Sequence, residues 1–306
     1  MSAATPSATE AAVGAWTLRW RRLRGHPAAL VSLFILLLLV GFCLAAYPYA
    51  ALRDIDPSST DLLSRFDPPS FEHPLGTDDA GRDELLRLMV GGQISLLIGV
   101  LATLIGGVIG VAVGVCAGYF GGRVDAVLMR FTDGVIVLPL LPLLIVLEAV
   151  DLTKLGFSQA FTHSGAAAFW RIVIVISLVD WTAVARLVRA ATLSIRERDF
   201  IRVARASGAG SLYMMTTHIL PNVATPIIVA LTLTVGRVIL LESVLSFLGL
   251  GVIPPTPSWG NMLNNAQELV TTNPALAVYP GLLIFMTVIA VNFSGDGLQH
   301  AFDPRS

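Results

Sequence analysis

Six apolar stretches dominate the pattern of hydrophobic and polar positions along the 306-residue chain. Each is long enough to cross the hydrocarbon core of a bilayer, which takes roughly 20 residues in a helix. Polar, turn-rich segments separate the stretches, so the pattern predicts an all-α membrane protein with six transmembrane helices. The predicted spans are 28–49, 94–119, 124–147, 172–193, 223–248 and 276–293.

The same pattern divides the chain into four parts: a cytoplasmic N-terminal tail (1–25), a first transmembrane helix (26–50), an external segment (51–90) and a core (91–306). The first apolar run exceeds the roughly 7–15 residues of a signal-peptide core, and we expect it to be retained as a signal anchor. The core contains the other five spans and a short helix at about 199–210.

Composition agrees with a membrane protein. Hydrophobic residues make up 55% of the chain and charged residues 13%, against roughly 45–50% and about 25% in soluble domains. The formal net charge of −1 gives no general attraction to nucleic acid. Cys43 and Cys116 both lie in apolar runs, so we predict two buried thiols and no disulfide framework.

The distribution of basic residues predicts which ends of the helices face the cytoplasm, where Lys and Arg accumulate. Placing both termini in the cytoplasm puts most arginines there or at the inner interface, and the short helix at 199–210 faces the same side. The inner residues are Arg19, Arg21, Arg22, Arg24, Arg123, Arg130, Arg186, Arg189, Arg196, Arg198, Arg202, Arg205 and Arg305, and the outer ones are Arg53, Arg65, Arg82, Arg87, Lys154 and Arg171.

Glycine and proline mark two features of the spans. A strict spacing of four residues in the second span predicts a glycine stripe that lets another helix approach closely; the stripe consists of Gly106, Gly110, Gly114, Gly118 and Gly122. Packing within the chain is favoured over sliding against a neighbouring subunit, although the two are compatible. Pro139 and Pro142 predict a kink in the third span.

The loop between the fourth and fifth spans has the pattern of a helix outside the bilayer. We predict that Asp199 caps its start, that Phe200, Val203, Ala204 and Ser207 share one face, and that Gly208 or Gly210 ends it. Arg202 and Arg205 are placed to pair with a partner's carboxylates, and Pro221 marks the entry to the fifth span. The alternative is an ordinary basic loop. The partner-binding residues are Phe200, Arg202, Val203, Ala204, Arg205, Ala206, Ser207, Gly208 and Pro221.

Charged residues inside the spans are costly, roughly 2.5–3.5 kcal/mol each at mid-bilayer on insertion scales. Arg237 and Glu242 are about 140° apart around a helix and should not pair, so Asp180 on the preceding span is the expected counter-ion of Arg237. Glu242 is assigned either to a structural role or to a surface facing a solute pathway or a neighbouring subunit. Asp133 is expected to pair with Arg130.

No catalytic constellation is found in the sequence. It contains no G-x-x-x-x-G-K-[ST] phosphate loop, no H-E-x-x-H and no G-x-S-x-G motif, and the five histidines are widely scattered. We therefore predict no catalytic, cofactor-binding or metal-binding residues and no enzymatic activity in this chain.

Residues 199–222 resemble the EAA-motif coupling loop of ABC-importer permeases. In that family Glu-Ala-Ala-x-x-x-Gly is followed by Leu-Pro; here Arg202-Val203-Ala204 stands in place of Glu-Ala-Ala, while Gly208 and Leu220-Pro221 are kept. Further segments match in order. They are H-P-L-G-T-D-D-A-G-R-D at 73–83, G-Y-F-G-G at 118–122, L-S-F-L-G-L-G at 245–251, P-P-T-P-S-W-G-N-M at 254–262, N-F-S-G-D-G at 292–297 and D-P-R at 303–305.

Together these segments are similar to the C-type permease of dipeptide and oligopeptide importers, a group that includes nickel and glutathione systems. The resemblance implies the type I importer fold, a second homologous permease, one or two ATPase subunits, an external substrate-binding protein and a peptide or other small solute. It places the chain in the bacterial inner membrane, with ATP and Mg bound by the ATPase subunits. Three departures stand out: Arg202 in place of the acid, Ser207 in place of a larger apolar residue, and Arg237 where a small residue is common.

Two other classes of membrane protein fit the sequence less well. A self-sufficient secondary transporter or channel would use Asp180 and Glu242 as ion sites, but the sequence shows no inverted repeat and that class leaves the 199–222 pattern unexplained. A membrane-embedded hydrolase lacks a nucleophile–base pair.

Overall fold

The computed structural model describes residues 26–56, 59–148, 150, 152–156, 158–162, 164–264, 271 and 273–302. The predicted tail at 1–25 and Arg305 lie outside these residues. Helices form most of the described structure. They are α1 (Pro27–Leu44), α2 (Ala46–Arg53), α3 (Glu84–Phe120), α4 (Gly122–Val137), α5 (Leu140–Glu148), α6 (Gln159–Thr162), α7 (Gly165–Arg196), α8 (Asp199–Ala206), α9 (Ser211–Tyr213), α10 (Leu220–Phe247) and α11 (Pro274–Phe302), with 3₁₀ turns at Leu62–Ser64, Leu152–Leu155 and Asn261–Leu263.

Five of the helical segments are long and apolar enough to cross a membrane, and a bent pair would make a sixth crossing. The helices extend beyond the predicted apolar runs because hydropathy marks only the part inside the hydrocarbon, whereas capping side chains set where a helix begins. The Asp83 carboxylate accepts a hydrogen bond from the Leu86 N–H at 2.7 Å and starts α3. The Ser164 hydroxyl similarly accepts from the Ala167 N–H at 3.2 Å at the start of α7.

The third predicted span is not one continuous helix. It consists of α4 and α5, whose axes differ by 89°. Leu138 between them has extended backbone, with ψ of 132°, because the ring of Pro139 disfavours helical backbone in the residue before it. The predicted kink is therefore a full break, and 124–147 as a single helix is wrong.

The glycine stripe lies in the most extensive helix–helix contact of the described chain, between α3 and α7. A Cβ atom at Gly110 or Gly114 would lie 2.6 Å from the carbonyl oxygen of Trp181 or Ala185, respectively. Gly106 and Gly118 face the same helix, so the stripe packs within the chain. Gly122 does not belong to it, because α3 ends at Phe120 and a Cβ atom at Gly122 would have no neighbour within 4 Å.

Both ends of the described chain lie at the same end of the bundle. The rings of His26 and His300 stack with their centres 5.1 Å apart, next to a hydrogen bond of 2.9 Å between the Ser32 and Ser294 hydroxyls. We call this the α8 end, because α8 follows the last turn of α7 there. The segment between α2 and α3 and the loop after α10 lie at the opposite end, called the loop end.

The segment between α2 and α3 is folded against the start of α3. The Asp83 carboxylate contacts His73 Nδ1 at 3.0 Å and accepts from the Tyr49 hydroxyl at 3.3 Å. The Asp78 carboxylate lies 2.7 Å from Arg82 Nε and 3.1 Å from Arg87 Nε. These contacts account for the acidic and basic residues of the 73–83 segment and hold its loop on the bundle.

Replacing Gly114 with valine should destabilise the protein. The added side chain would overlap α7, and such overpacking typically costs about 1–3 kcal/mol. We expect a lower thermal midpoint for Gly114→Val in detergent, measured by loss of the monodisperse peak in size-exclusion chromatography. Gly134→Val is the matched control, since no atom lies within 4 Å of a Cβ there. An unchanged midpoint for Gly114→Val would contradict the close α3–α7 contact.

Candidate functional site

The short helix predicted outside the bilayer is present as α8. Its N-cap is Arg198, which makes no side-chain capping bond, and Asp199 is the first helical residue. The Asp199 side chain is 97% exposed, with Arg202 Nη1 3.9 Å away. The prediction that Asp199 caps the helix is therefore wrong, because the carboxylate lies one position too late to reach the free amides. It still lies in the first turn, where the helix dipole favours a negative charge.

Gly208 ends α8, which is one of the two alternatives that the sequence predicts. Its φ is +85°, a conformation that glycine adopts without a steric penalty. The Gly208 N–H donates to the Arg205 carbonyl at 3.0 Å, and the Ala209 N–H donates to the Ala204 carbonyl at 3.2 Å. Gly210 instead forms the N-cap of α9, so only four residues separate the two helices.

Ile201 anchors α8 to the bundle, a role that the sequence analysis missed. It is fully buried among Met214, Ile219 and Val223, and burying such a side chain contributes about 1.5–3 kcal/mol. Ala204 lies half-buried against the same cluster, which places it on the anchored side rather than on the predicted open face. The sequence does contain a signal for this anchored side, because Ile201 and Ala204 are three residues apart and therefore share a side of the helix.

The other side of α8 is open. Phe200 and Val203 are 45% and 65% exposed, and Arg202 extends from the same helix with its side chain 66% exposed. We call Phe200, Arg202, Val203, Ala206 and Ser207 the α8 surface; all five residues are exposed. Exposed apolar residues on an anchored helix typically mark an interaction site.

Arg205 is less available than Arg202 to pair with a partner protein. Its guanidinium lies 5.5 Å from the centre of the Tyr119 ring, a cation–π distance. Arg196 on α7 also reaches α3, where it donates to the carbonyls of Gly118 and Tyr119 at 3.2 and 3.3 Å. Arg189 holds both carboxylate oxygens of Asp125 on α4. These basic residues tie α3, α4 and α7 together at the α8 end.

Pro221 is the second residue of α10, at the start of that helix as predicted, although helical backbone already begins at Ser211. The fifth membrane segment runs from Ser211 to Phe247, and its turn at Met214–Ile219 is a π-helix. Proline lacks the N–H that would continue the α-helical pattern, and the wider turn just before it accommodates the missing bond. The Asn222 amide donates to the His218 carbonyl at 2.6 Å. The membrane helix thus begins almost directly after α8.

Glu242 forms the centre of a second polar site, inside the bundle near the loop end. It is completely buried and accepts hydrogen bonds from the hydroxyls of Ser246 at 2.8 Å and Ser95 at 3.1 Å. It therefore faces neither a pathway nor another subunit, and that part of the prediction is wrong.

The loop after α10 is inserted into this site, which explains its tryptophan and asparagine. The Trp259 N–H donates to the Ser95 hydroxyl at 3.2 Å, and its indole nitrogen donates to the Leu88 carbonyl at 2.8 Å. The Asn261 amide donates to the carbonyls of Val252 at 3.0 Å and Thr256 at 2.8 Å. The loop is thereby held against α3 and α10 by buried hydrogen bonds.

Arg237 and Asp180 form the pair that the sequence suggested. Arg237 Nε lies 3.3 Å from Asp180 Oδ1, with Asp180 buried and the Arg237 side chain 58% exposed. Asp133 pairs with Arg186 of α7 at 2.5 Å, not with Arg130, because α7 brings a basic group across the helix contact.

Comparisons with known proteins agree with the motifs. The family described as "Binding-protein-dependent transport system inner membrane component" matches residues 106–306, and "N-terminal TM domain of oligopeptide transport permease C" matches residues 14–69. A putative peptide permease protein of Brucella suis is 38% identical over 277 residues, which cover 90% of this chain and 87% of the relative. The glutathione transport system permease protein GsiD of Shigella flexneri is 42% identical over 293 residues, covering 95% and 90%.

Removing the carboxylate at the buried polar centre should loosen the loop end. Glu242→Ala would leave the Ser95 and Ser246 hydroxyls without their acceptor, at a cost of about 1–3 kcal/mol for each unsatisfied group. We expect a lower thermal midpoint and faster proteolysis within 248–264. The control is Glu197→Ala, whose side chain is 64% exposed. Equal midpoints and equal proteolysis for the two variants would contradict a structural role for Glu242.

Proposed function

Since the chain belongs to the family of inner membrane components of binding-protein-dependent transport systems, we propose that it forms the translocation pathway of an ATP-driven peptide importer together with a second, related permease. The single observation that carries the coupling part of this proposal is the construction of α8. It exposes Phe200 and Val203 while Ile201 fixes it to the bundle.

In this proposal, α8 is inserted into a groove on an ATPase subunit that binds Mg-ATP. Phe200 and Val203 supply apolar contact, and Arg202 pairs with a carboxylate of the ATPase. When ATP brings two ATPase subunits together, each moves the α8 that it holds. Because Ile201 packs on Met214 and Ile219, the start of the fifth span moves with α8. The displacement is thereby transmitted to helices that line the pathway.

The loop end is proposed to receive the external substrate-binding protein. Between α2 and α3, Leu63 and Phe71 are 96% and 97% exposed, although the segment that carries them is fixed by Asp78 and Asp83. A rigid surface with exposed apolar side chains suits a transient protein contact. This assignment places α8 and both termini in the cytoplasm, as the arginine distribution predicts.

Peptides are proposed as the solute class. One relative is named as a peptide permease and another as a glutathione permease, and glutathione is itself a short peptide. Both relatives match at least 90% of this chain, so the similarity includes the helices that would line the pathway as well as α8.

Paired substitutions at the two ends of the molecule test the proposed partners. Phe200→Ser with Val203→Ser should lose the ATPase subunits in a mild-detergent pull-down, because the apolar contact is removed from an exposed surface without disturbing the core. Phe71→Ser, an apolar-to-polar change of the same kind at the loop end, should keep the ATPase subunits and lose the substrate-binding protein. Co-purifying chains would be identified by mass spectrometry. Retention of the ATPase subunits by the α8 double variant would contradict the coupling assignment.

Reversing the charge of Arg202 tests its role separately. Arg202→Glu should weaken ATPase association about tenfold or more, since a charged hydrogen bond contributes about 1.5–3 kcal/mol and repulsion is added. Arg202→Gln, which removes the charge without reversing it, should give a smaller loss. Affinity would be measured by titrating purified ATPase subunits onto the permease pair in nanodiscs. Tighter binding by Arg202→Glu would show that the partner offers a basic group instead.

A further inference from the structure

Arg237 is a charged residue far from either end of its membrane helix. It lies ten residues before Phe247, where α10 ends, which is about 15 Å along the axis. Its partner Asp180 is also in the middle of α7, between Gly165 and Arg196. Both charges therefore lie at the depth of the hydrocarbon core, which is about 30 Å thick.

The pair is asymmetric in exposure. Asp180 is buried with 5% of its side chain exposed, whereas the Arg237 side chain is 58% exposed. The contact uses Nε of the guanidinium, and no acceptor for Nη1 or Nη2 occurs among the described residues. The guanidinium is thus fixed on one side by a buried carboxylate and is accessible on the other.

An accessible guanidinium at this depth must face water or a polar surface. Facing lipid would cost roughly 2.5–3.5 kcal/mol or more. A second acidic residue from a neighbouring subunit is not needed for neutrality, because Asp180 already balances the charge. The remaining donors of a planar guanidinium match a carboxylate in a bidentate arrangement.

We propose that Arg237, positioned by Asp180, recognises a carboxylate of the solute as it passes through the pathway. This inference rests on the proposed function and makes it narrower: the solute class is peptides with a free carboxylate, such as an unmodified C-terminus. The competing charge of Asp180 keeps the contact weak, so that the solute is selected without being trapped. Conduction through a pathway requires this balance.

The first test compares two solutes that differ in one group. The complete complex, with second permease, ATPase subunits and substrate-binding protein, is reconstituted in liposomes, and ATP-driven uptake of radiolabelled trialanine and trialanine amide is measured. The ratio of acid to amide uptake should fall about tenfold in Arg237→Gln and less in Arg237→Lys. Because every variant uses the same substrate-binding protein, the change in ratio reports the permease alone.

Arg186→Gln is the matched control. Arg186 is also half-exposed and paired with an aspartate of another helix, but it lies six residues closer to the α8 end than Asp180 on the same helix, about 9 Å along the axis. Its acid-to-amide ratio should equal that of the wild type. An unchanged ratio in Arg237→Gln, with ATP-driven uptake retained, would overturn the inference.

A second measurement is independent of the solute. Arg237→Cys is made in a chain carrying Cys43→Ala and Cys116→Ala, which removes both natural thiols. A membrane-impermeant, negatively charged thiosulfonate should modify the introduced thiol in the assembled complex. Absence of modification would overturn the inference, since the position would then be covered by lipid or by the second permease. If the wild-type complex imports neither peptide, the peptide assignment fails. In that case the modification of the introduced thiol still decides whether Arg237 lies in the pathway.

Discussion

A polar group between membrane helices must find its hydrogen-bonding partner inside the protein, because the bilayer core offers none. Most of the distinctive geometry of this chain follows from that constraint. Glu242 is buried among the hydroxyls of Ser95 and Ser246, and Ser95 in turn accepts from the Trp259 backbone. One carboxylate thereby joins α3, α10 and the loop that follows α10. Replacing Glu242 removes the acceptor of both hydroxyls, so the loop and the helices form one structural unit.

The α8 end is stabilised by a different set of interactions. Ile201 fixes α8 to the start of the fifth membrane segment, and the connection through Gly208 that joins α8 to this segment is short. Arg189 and Arg196 join α7 to α4 and α3. A displacement of α8 therefore cannot be absorbed locally. Several of the arginines thus hold the helices together, whereas the Arg202 side chain, which departs from the family motif, is 66% exposed.

Close contact between α3 and α7 provides the frame on which both ends depend. Glycine at four successive turns of α3 brings the two backbones together, and dispersion contacts over that length replace the hydrophobic effect, which does not act between helices in lipid. The same frame holds Asp180 in the interior while Arg237 remains at the surface. The Arg237–Asp180 pair thus has one buried and one accessible member.

Hydropathy alone located five membrane crossings, since each requires a long apolar run, and the spacing of motifs was sufficient to identify the family. Local chemistry also limited the end of α8 to Gly208 or Gly210 and predicted the pairing of Arg237 with Asp180, because these depend on backbone conformation and on the cost of an isolated charge. The break at Pro139, the early start of the fifth span, the anchoring role of Ile201 and the burial of Glu242 required the folded chain. Each of these features depends on which helix packs against the residue, and the linear sequence pattern does not contain that information. Periodicity shows that a residue belongs to one face of a helix. Only packing decides whether that face contacts protein, lipid or water.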